Sequence, residues 1–84
     1  MQGFNPPKEK TIEDITIERD RQDSMWGEER FLPDQSWLVV LVEEVGEIAT
    51  CIHDHSSNQD LYDEICQVAS VCTRWMEQIE EEKL

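Results

Sequence analysis

The segment from Gln35 to His53 constrains the fold more than any other part of the chain, because its apolar residues recur at the spacing of an α-helix. The residues that follow this spacing are Leu38, Leu41, Val42, Val45, Ile48, Ala49 and Ile52. Trp37, Val39 and Val40 widen the apolar surface beyond a single stripe. We therefore predict a helix that is buried on more than one side, either within the monomer or between subunits.

Two further segments have helical patterns. Pro6-Pro7 predicts an extended arm over residues 1–10, with Thr11 capping a first helix that stops at Gly27,. A third helix is expected from about residue 59 into the acidic tail, with an a/d seam of Leu61, Ile65, Val68, Cys72, Trp75 and Ile79,. Asp34 and Ser57 are the expected caps of the second and third helices. The pattern predicts an all-α bundle of about three helices, with residues 11–84 forming one helical domain.

The length of the chain favours oligomerisation. A chain of 84 residues buries only about 60% of the surface that it exposes when unfolded,. Its three cysteines predict reduced thiols rather than disulfides,. Oligomerisation is the remaining way to enlarge the core. No apolar run is long enough to cross a membrane, and the polar start does not resemble a signal peptide, so we expect a soluble cytoplasmic protein.

The charge is strongly negative and unevenly distributed. A formal net charge of −13 makes nucleic-acid binding through a basic surface improbable,. From Phe31 to Thr73 there is no Lys or Arg, although this stretch holds eight acidic residues. Exposed helices normally mix both signs to form ion pairs. A metal site explains the missing cations better than a solvated helix face does.

The acidic residues of this stretch are grouped on the two longest predicted helices. Residues three apart share a helix face, and on both helices the acids border the apolar stripe. Two such helices packed together could direct several oxygen ligands at one point, which suits Mg²⁺ or Mn²⁺ with a phosphate substrate. Glutamate pairs at this spacing are also common on solvated helices, and that alternative remains open. Gly46 lies inside the helix, where a close helix contact or a ligand would justify its cost. The candidate site residues on these two helices are Glu43, Glu44, Glu47, Glu64 and Gln67.

This spacing resembles a family signature. Glu43-Glu44-x-x-Glu47, followed after 16 residues by Glu64-x-x-Gln67, resembles the motif of the MazG-like all-α nucleotide pyrophosphohydrolases. That motif is Glu-Glu-x-x-Glu, a spacer, and then Glu-x-x-Asp. The likeness extends from Glu18-Arg19 through Trp26-Gly27-Glu28 and includes Trp37-Leu38, so that it covers about residues 11–80.

The resemblance implies an activity and a set of site residues. Members of the family hydrolyse nucleoside triphosphates to the monophosphate and pyrophosphate, often acting on non-standard nucleotides, and they form helical bundles completed by dimerisation. By resemblance, Mg²⁺ would be held by Glu44, Glu47 and Glu64, with Gln67 at the fourth position. Glu43 would lie beside them, and Glu43 or Glu47 could accept a proton from the attacking water.

Aromatic and basic side chains are the candidates for contacts with the substrate. Tryptophan rings could stack on a base and arginines could meet phosphate charge, although the alternatives are core anchors and surface ion pairs. The candidates are Arg19, Arg21, Trp26, Arg30, Trp37 and Arg74.

Gln67 can ligate a cation through its carbonyl but brings no negative charge. A weakened or inactive member that binds nucleotide, metal or a protein partner is therefore the alternative, and a plain acidic interaction module is a third reading.

Overall fold

The computed structural model describes the backbone of residues 3–83 and the side chains of residues 3–82. It contains three helices: α1 (Glu9–Trp26), α2 (Asp34–His53) and α3 (Asn58–Lys83). No strand occurs within these residues, which confirms the all-α class. None of the three described helices combines the length and apolar character that a membrane span requires.

The first helix begins earlier than the sequence pattern predicts. Lys8 occupies the N-cap position without a side-chain cap bond, so the capping role expected for Thr11 is wrong. The predicted arm accordingly ends at residue 8, because Pro7 does not prevent a helix that starts after it and Glu9 favours the first turn electrostatically,. Residues 1, 2 and 84 of the predicted arm and domain lie outside the described part. Gly27 ends α1 as predicted, with φ of 97° and its N–H donating to the carbonyl of Asp23 at 2.8 Å,.

The caps of the other two helices were predicted with mixed success. Pro33, not Asp34, occupies the N-cap position of α2. Asp34 lies one residue inside the helix and instead accepts a hydrogen bond from Nε1 of Trp75 at 2.9 Å. The cap of α3 is confirmed, because Oγ of Ser57 accepts from the backbone N–H of Asp60 at 3.1 Å,.

The central element is α3, which packs against both of the other helices. Within the described residues, no Cα atom of α1 lies within 8 Å of a Cα atom of α2. The α1–α3 contact is largely polar: the Tyr62 hydroxyl donates to Asp14 at 2.6 Å, and Arg19 donates to both carboxylate oxygens of Glu77 at 2.9 and 3.0 Å. The short turn over residues 54–57 makes α2 run antiparallel to α3, and this pair positions the acidic residues.

A buried amide connects α3 to α2 and to the loop that precedes it. Gln78 is 1% exposed, and its Oε1 accepts from Nε1 of Trp37 at 2.7 Å and from the backbone N–H of Leu32 at 3.1 Å. Its Nε2 donates to the carbonyl of Leu32 at 2.7 Å. The indole N–H of Trp37 and the backbone N–H and carbonyl of Leu32 thus all depend on the Gln78 side chain as their hydrogen-bond partner.

Replacing Gln78 by methionine is expected to lower the free energy of unfolding by about 2–4 kcal/mol, because each buried polar group left without a partner costs about 1–3 kcal/mol. Methionine has a similar volume, so the loss reports the hydrogen bonds rather than a cavity. Urea denaturation measures it. The matched control Gln35→Met changes an exposed residue and should shift stability by less than about 0.5 kcal/mol,. Equal effects of the two substitutions would refute this role of Gln78.

The apolar seam predicted for α3 is not its buried face. The buried residues of α3 are Ser70, Val71, Arg74 and Gln78, while Ile65 and Ile79 are 49% and 39% exposed. On a helical projection, α1 and α2 occupy two sides of α3 and the seam lies on a third. The predicted seam is therefore not covered by the described residues of the same chain.

The apolar stripe of α2 is also left exposed. Antiparallel packing places this stripe and the seam of α3 on the same side of the pair, away from α1. We call this surface the uncovered apolar face; it comprises Leu38, Val42, Val45 and Ile52 of α2 with Ile65, Met76 and Ile79 of α3. The chain exposes 6510 Å² of surface, against about 5,200 Å² expected for a monomer of 9.9 kDa,.

Candidate metal and nucleotide site

Three carboxylates converge where α2 packs against the first turns of α3. Glu44 and Glu47 share one face of α2 because they are three residues apart, and Glu64 faces them from α3. One carboxylate oxygen from each lies within 4.8 Å of the others. We call these three residues the acid cluster.

Two oxygens of the acid cluster are removed from solvent. Oε2 of Glu44 and Oε2 of Glu64 are buried and have no hydrogen-bond partner among the described residues. A buried acceptor without a partner is costly and rare, and a negative one more so. At 4.8 Å, each pair of charges repels by about 1 kcal/mol in water and about 3.5 kcal/mol at an effective dielectric near 20,.

The pKa values of two acid-cluster carboxyl groups reflect the same burial and charge repulsion. Burial raises the pKa of Glu44, and the neighbouring charges of Glu47, Glu64 and Glu18 raise that pKa further. Burial also raises the pKa of Glu64, as do hydrogen bonding and charge repulsion with Glu47. Ionised oxygens held together without a counter-charge are a destabilising feature that a bound cation would relieve.

In the absence of divalent cations, the acid cluster is expected to cost stability as the pH rises. The pKa values of Glu44 and Glu64 are raised in the folded protein above the ordinary 4.5, so the folded state binds more protons than the unfolded state in that interval. Stability contributed by these groups is therefore present near pH 4.5 and lost as the pH rises through their folded pKa values,.

Urea denaturation in chelator at several pH values, for the wild type and for Glu44→Gln, measures this dependence. The difference between the two proteins cancels the opposite contribution of Glu18, whose pKa is lowered by Arg21. The variant should gain on the wild type as the pH increases. A difference that stays constant between about pH 4.5 and 7.5 would contradict the predicted repulsion.

Gln67 lies beside the acid cluster. It is half-buried and one turn after Glu64, and with Glu47 and Glu64 it lines a groove of about 490 Å³. Three further acids, Asp54, Asp60 and Asp63, line the same groove. The structure thus brings all four residues of the predicted ligand set to one place.

Gly46 has no close neighbour within the single chain. A Cβ added to Gly46 would meet nothing within 4 Å, so no described helix of the chain makes the close contact that would justify this glycine. The helical cost of this glycine, about 1 kcal/mol, is not explained by packing of the described residues.

Glu43 lies outside the acid cluster but borders a second cavity next to it. This cavity of about 300 Å³ is lined by Trp26, Arg30, Leu32, Trp37, Val40, Glu43 and Glu44. The Arg30 guanidinium lies 5.1 Å from the ring centroid of Trp26 and 4.8 Å from that of Trp37, so it is held between two indoles,. Three of the predicted substrate-binding residues therefore meet two of the predicted acids in one cavity, which we call the tryptophan cavity.

The remaining candidate substrate residues have structural contacts elsewhere. Arg19 pairs with Glu77 and donates to Oγ1 of Thr73 at 3.1 Å, on the side of α3 that faces α1. Arg74 is 4% exposed and donates to the carbonyl of Arg30 at 2.7 Å, so it supports the loop rather than reaching the acid cluster. Trp37 is wholly buried and hydrogen-bonded to Gln78, which makes it a core anchor as well as part of the cavity wall.

The structure adds Glu18 to the site residues expected from the sequence. Its charge acts on Glu44, and its carboxylate accepts from Nε and Nη2 of Arg21 at 2.8 and 2.7 Å and from Gln22 at 2.9 Å. Arg21 is in turn attracted by Glu44. In the sequence, Glu18 was noted only in the Glu18-Arg19 part of the family resemblance, and its i,i+3 spacing to Arg21 is common on helix surfaces,.

Comparisons with protein-family models, with curated proteins and with solved structures gave no match. The site offers oxygen ligands for a hard metal cation and an adjacent cavity with aromatic walls. A guanidinium group is held in that cavity, next to the acids.

Proposed function

We propose that the protein is a Mg²⁺-dependent nucleoside triphosphate pyrophosphohydrolase that forms the monophosphate and pyrophosphate, acting on non-standard nucleotides in the cytoplasm. The observation that carries this proposal is the convergence of Glu44, Glu47 and Glu64 with two buried carboxylate oxygens that lack partners. The resemblance of the two motifs to the MazG-like family supports the same reaction.

The donor set fits Mg²⁺, with Mn²⁺ as a substitute. Both are hard cations that prefer carboxylate and carbonyl oxygens, and the residues that would hold them are Glu44, Glu47, Glu64 and Gln67. The orphaned oxygens of Glu44 and Glu64 are the acceptors that such an ion would satisfy. When bound, the cation neutralises the triphosphate and lowers the pKa of a water molecule.

The protein side chains supply the other parts of the reaction. Glu47 is the exposed member of the acid cluster, and Glu43 borders the adjoining cavity, so each can accept the proton of the attacking water,. The tryptophan cavity is the proposed place for the base, where Trp26 offers a half-exposed ring and Arg30 a cation,. Arg19 and Arg74 would act through structure, by fixing α1 and the loop.

The active form is proposed to be a homodimer, or a homotetramer built from such dimers. The exposed surface exceeds the monomer expectation by about 1,300 Å², which is enough for the roughly 800 Å² that each partner buries in an interface of standard size. A second copy placed against the uncovered apolar face would give α2 the second buried side that its sequence predicts.

Restoring the missing charge tests the metal assignment. Gln67→Asp is expected to tighten Mg²⁺ binding by tenfold or more, because a carboxylate replaces a neutral amide; at an effective dielectric near 20, a charge about 4 Å away contributes on the order of 4 kcal/mol before desolvation. Turnover at limiting Mg²⁺ should rise in parallel. Isothermal titration with Mg²⁺ and a pyrophosphate-release assay measure the two effects.

The matched control is Asn58→Asp, which adds the same charge at the exposed start of α3. This control should change Mg²⁺ affinity little, since exposed charges are screened by water and salt. If both variants bind Mg²⁺ alike, Gln67 is not a ligand.

A non-catalytic role is the second candidate, and Gln67 is the observation that favours it. A protein with this amide could bind metal and nucleotide weakly, or a protein partner, without turnover. If the wild type is inactive and Gln67→Asp is active, this second reading replaces the first.

A further inference from the structure

The basic residues are few, and their positions are not random. The chain has seven, and three of them, Lys8, Lys10 and Arg21, line a single groove of about 660 Å³ between α1 and the start of α3. Three others are committed inside the fold: Arg19 to Glu77, Arg30 to the two indoles, and Arg74 to the loop carbonyl. In a chain of charge −13, this groove gathers the accessible cations among the described side chains.

The groove is continuous with the acid cluster. Gln67 and Asp63 line both this groove and the acidic groove that contains Glu47 and Glu64. Arg21 is attracted by Glu44 of the acid cluster. A ligand bound at the acid cluster could therefore extend past the neutral amide of Gln67 into the basic groove without crossing the protein.

The acids that line the groove keep other partners when its cations turn toward a ligand. Lys10 pairs with Asp14 at 3.0 Å, but Asp14 also accepts from the Tyr62 hydroxyl at 2.6 Å. Arg21 pairs with Glu18, which also accepts from Gln22 at 2.9 Å. Asp63 accepts from Gln59 at 2.8 Å. Releasing Lys10 and Arg21 to a ligand would leave none of these carboxylates without a donor.

The chemistry of the groove selects a compact polyanion. A triphosphate approaching this protein meets a repulsive field, so its terminal phosphates need a region where cations offset that field. Lysine ammonium groups and an arginine fork are the side chains that bind phosphate oxygens through charge-assisted hydrogen bonds. The α1 N-terminus adds backbone N–H groups at the same end, since its N-cap Lys8 provides no side-chain cap,.

We propose that the groove lined by Lys8, Lys10 and Arg21 binds the two terminal phosphates of the nucleotide, and hence the pyrophosphate product. This inference rests on the proposed function and gives the substrate a direction: the base lies toward the tryptophan cavity, the acid cluster is in the middle, and the terminal phosphates lie between α1 and α3. Gln67 then stands where the triphosphate passes from one groove to the other.

Inorganic pyrophosphate binding in the presence of Mg²⁺ tests the proposal, measured by isothermal titration on the full chain. The test variant is Lys8→Gln/Lys10→Gln, because both side chains are exposed and their loss should leave the fold intact. The matched control is Ser24→Glu/Gln35→Glu, which lowers the formal charge from −13 by the same two units at exposed positions outside the groove. We expect binding weakened about tenfold in the test variant and less than about threefold in the control, since direct phosphate contacts outweigh screened distant charges.

Three outcomes would overturn the proposal, and two others separate it from the proposed function. Equal weakening in both variants would assign the effect to net charge and overturn the proposal, as would the absence of pyrophosphate binding to the wild type. Mg²⁺ binding alone should be the same in all three proteins, and a loss confined to the lysine variant would likewise overturn it. If the lysine variant weakens pyrophosphate binding but the wild type hydrolyses no nucleotide, the groove assignment holds and the proposed function fails. If the wild type hydrolyses nucleotides but the lysine variant binds pyrophosphate as well as the wild type does, the proposed function holds and the groove assignment fails.

Discussion

Replacing Glu44 and Glu47 together by glutamine is expected to abolish Mg²⁺ binding and Mg²⁺-dependent turnover. Both residues belong to the acid cluster, whose ligand oxygens lie within 4.8 Å of one another. The change removes two charges from the site while keeping the shape of both side chains. Since altering an outer-shell partner alone costs about tenfold to a hundredfold in metal affinity, the loss here should exceed a hundredfold.

The same substitution should stabilise the metal-free protein. Glu44 and Glu47 repel each other and Glu64, and Glu44 is partly buried, so neutral amides remove both the repulsion and part of the desolvation cost,. We expect the free energy of unfolding in chelator to rise by about 1 kcal/mol or more. Structural damage would instead lower it, so the sign of this change separates a functional loss from a folding defect.

Thermal denaturation with and without Mg²⁺ measures both effects in one experiment. The matched control is Glu80→Gln/Glu81→Gln, which removes two charges from the exposed end of α3. Mg²⁺ should raise the melting temperature of the wild type and of this control, and leave that of the cluster variant unchanged. A cluster variant that Mg²⁺ still stabilises would refute the site.

Placing two aspartates on the uncovered apolar face is expected to abolish the proposed dimer and leave the protein monomeric. Val42 and Val45 are 60% and 49% exposed in the single chain and lie one helical turn apart on α2. Within a dimer interface they would be buried, and each unpaired buried charge would cost several kcal/mol. Val42→Asp/Val45→Asp should therefore shift the equilibrium by many orders of magnitude, with little effect on the fold of the single chain.

Sedimentation equilibrium over a wide concentration range measures the association. The control Thr16→Asp/Ser24→Asp adds the same charge at exposed polar positions of α1, away from the uncovered apolar face, and should leave the proposed dimer intact. If the wild type is monomeric at concentrations of about 100 µM, this surface has another occupant and the dimer proposal is wrong.

The sequence predicted the helices well because their signals are local. The α2 boundaries agree within one residue, and Gly27 and Ser57 act as their chemistry indicates. The caps at Thr11 and Asp34 were wrong because a helix can begin as soon as proline permits, and the first-turn acid then competes with the capping role. A single sequence contains no clear pattern that shows which of the competing residues will be the cap.

The site and the packing show where local signals end. Spacing three residues apart indicated that Glu44 and Glu47 share a face, and the short turn made convergence with Glu64 geometrically available. The period of the α3 seam could not tell whether its partner belongs to the same chain or to another copy. The contacts of Gln78 with Leu32 and of Arg74 with Arg30 join residues more than forty positions apart, and polar side chains carry no periodic signal for such pairs.

The most direct test of the central claim is to identify the products formed from a panel of canonical and modified nucleoside triphosphates in the presence of Mg²⁺, by phosphorus NMR. The acid cluster and the motif spacing predict the nucleoside monophosphate and pyrophosphate in equal amounts, formed only when the divalent cation is present. Release of inorganic phosphate with the diphosphate, or turnover that persists in chelator, would contradict the account.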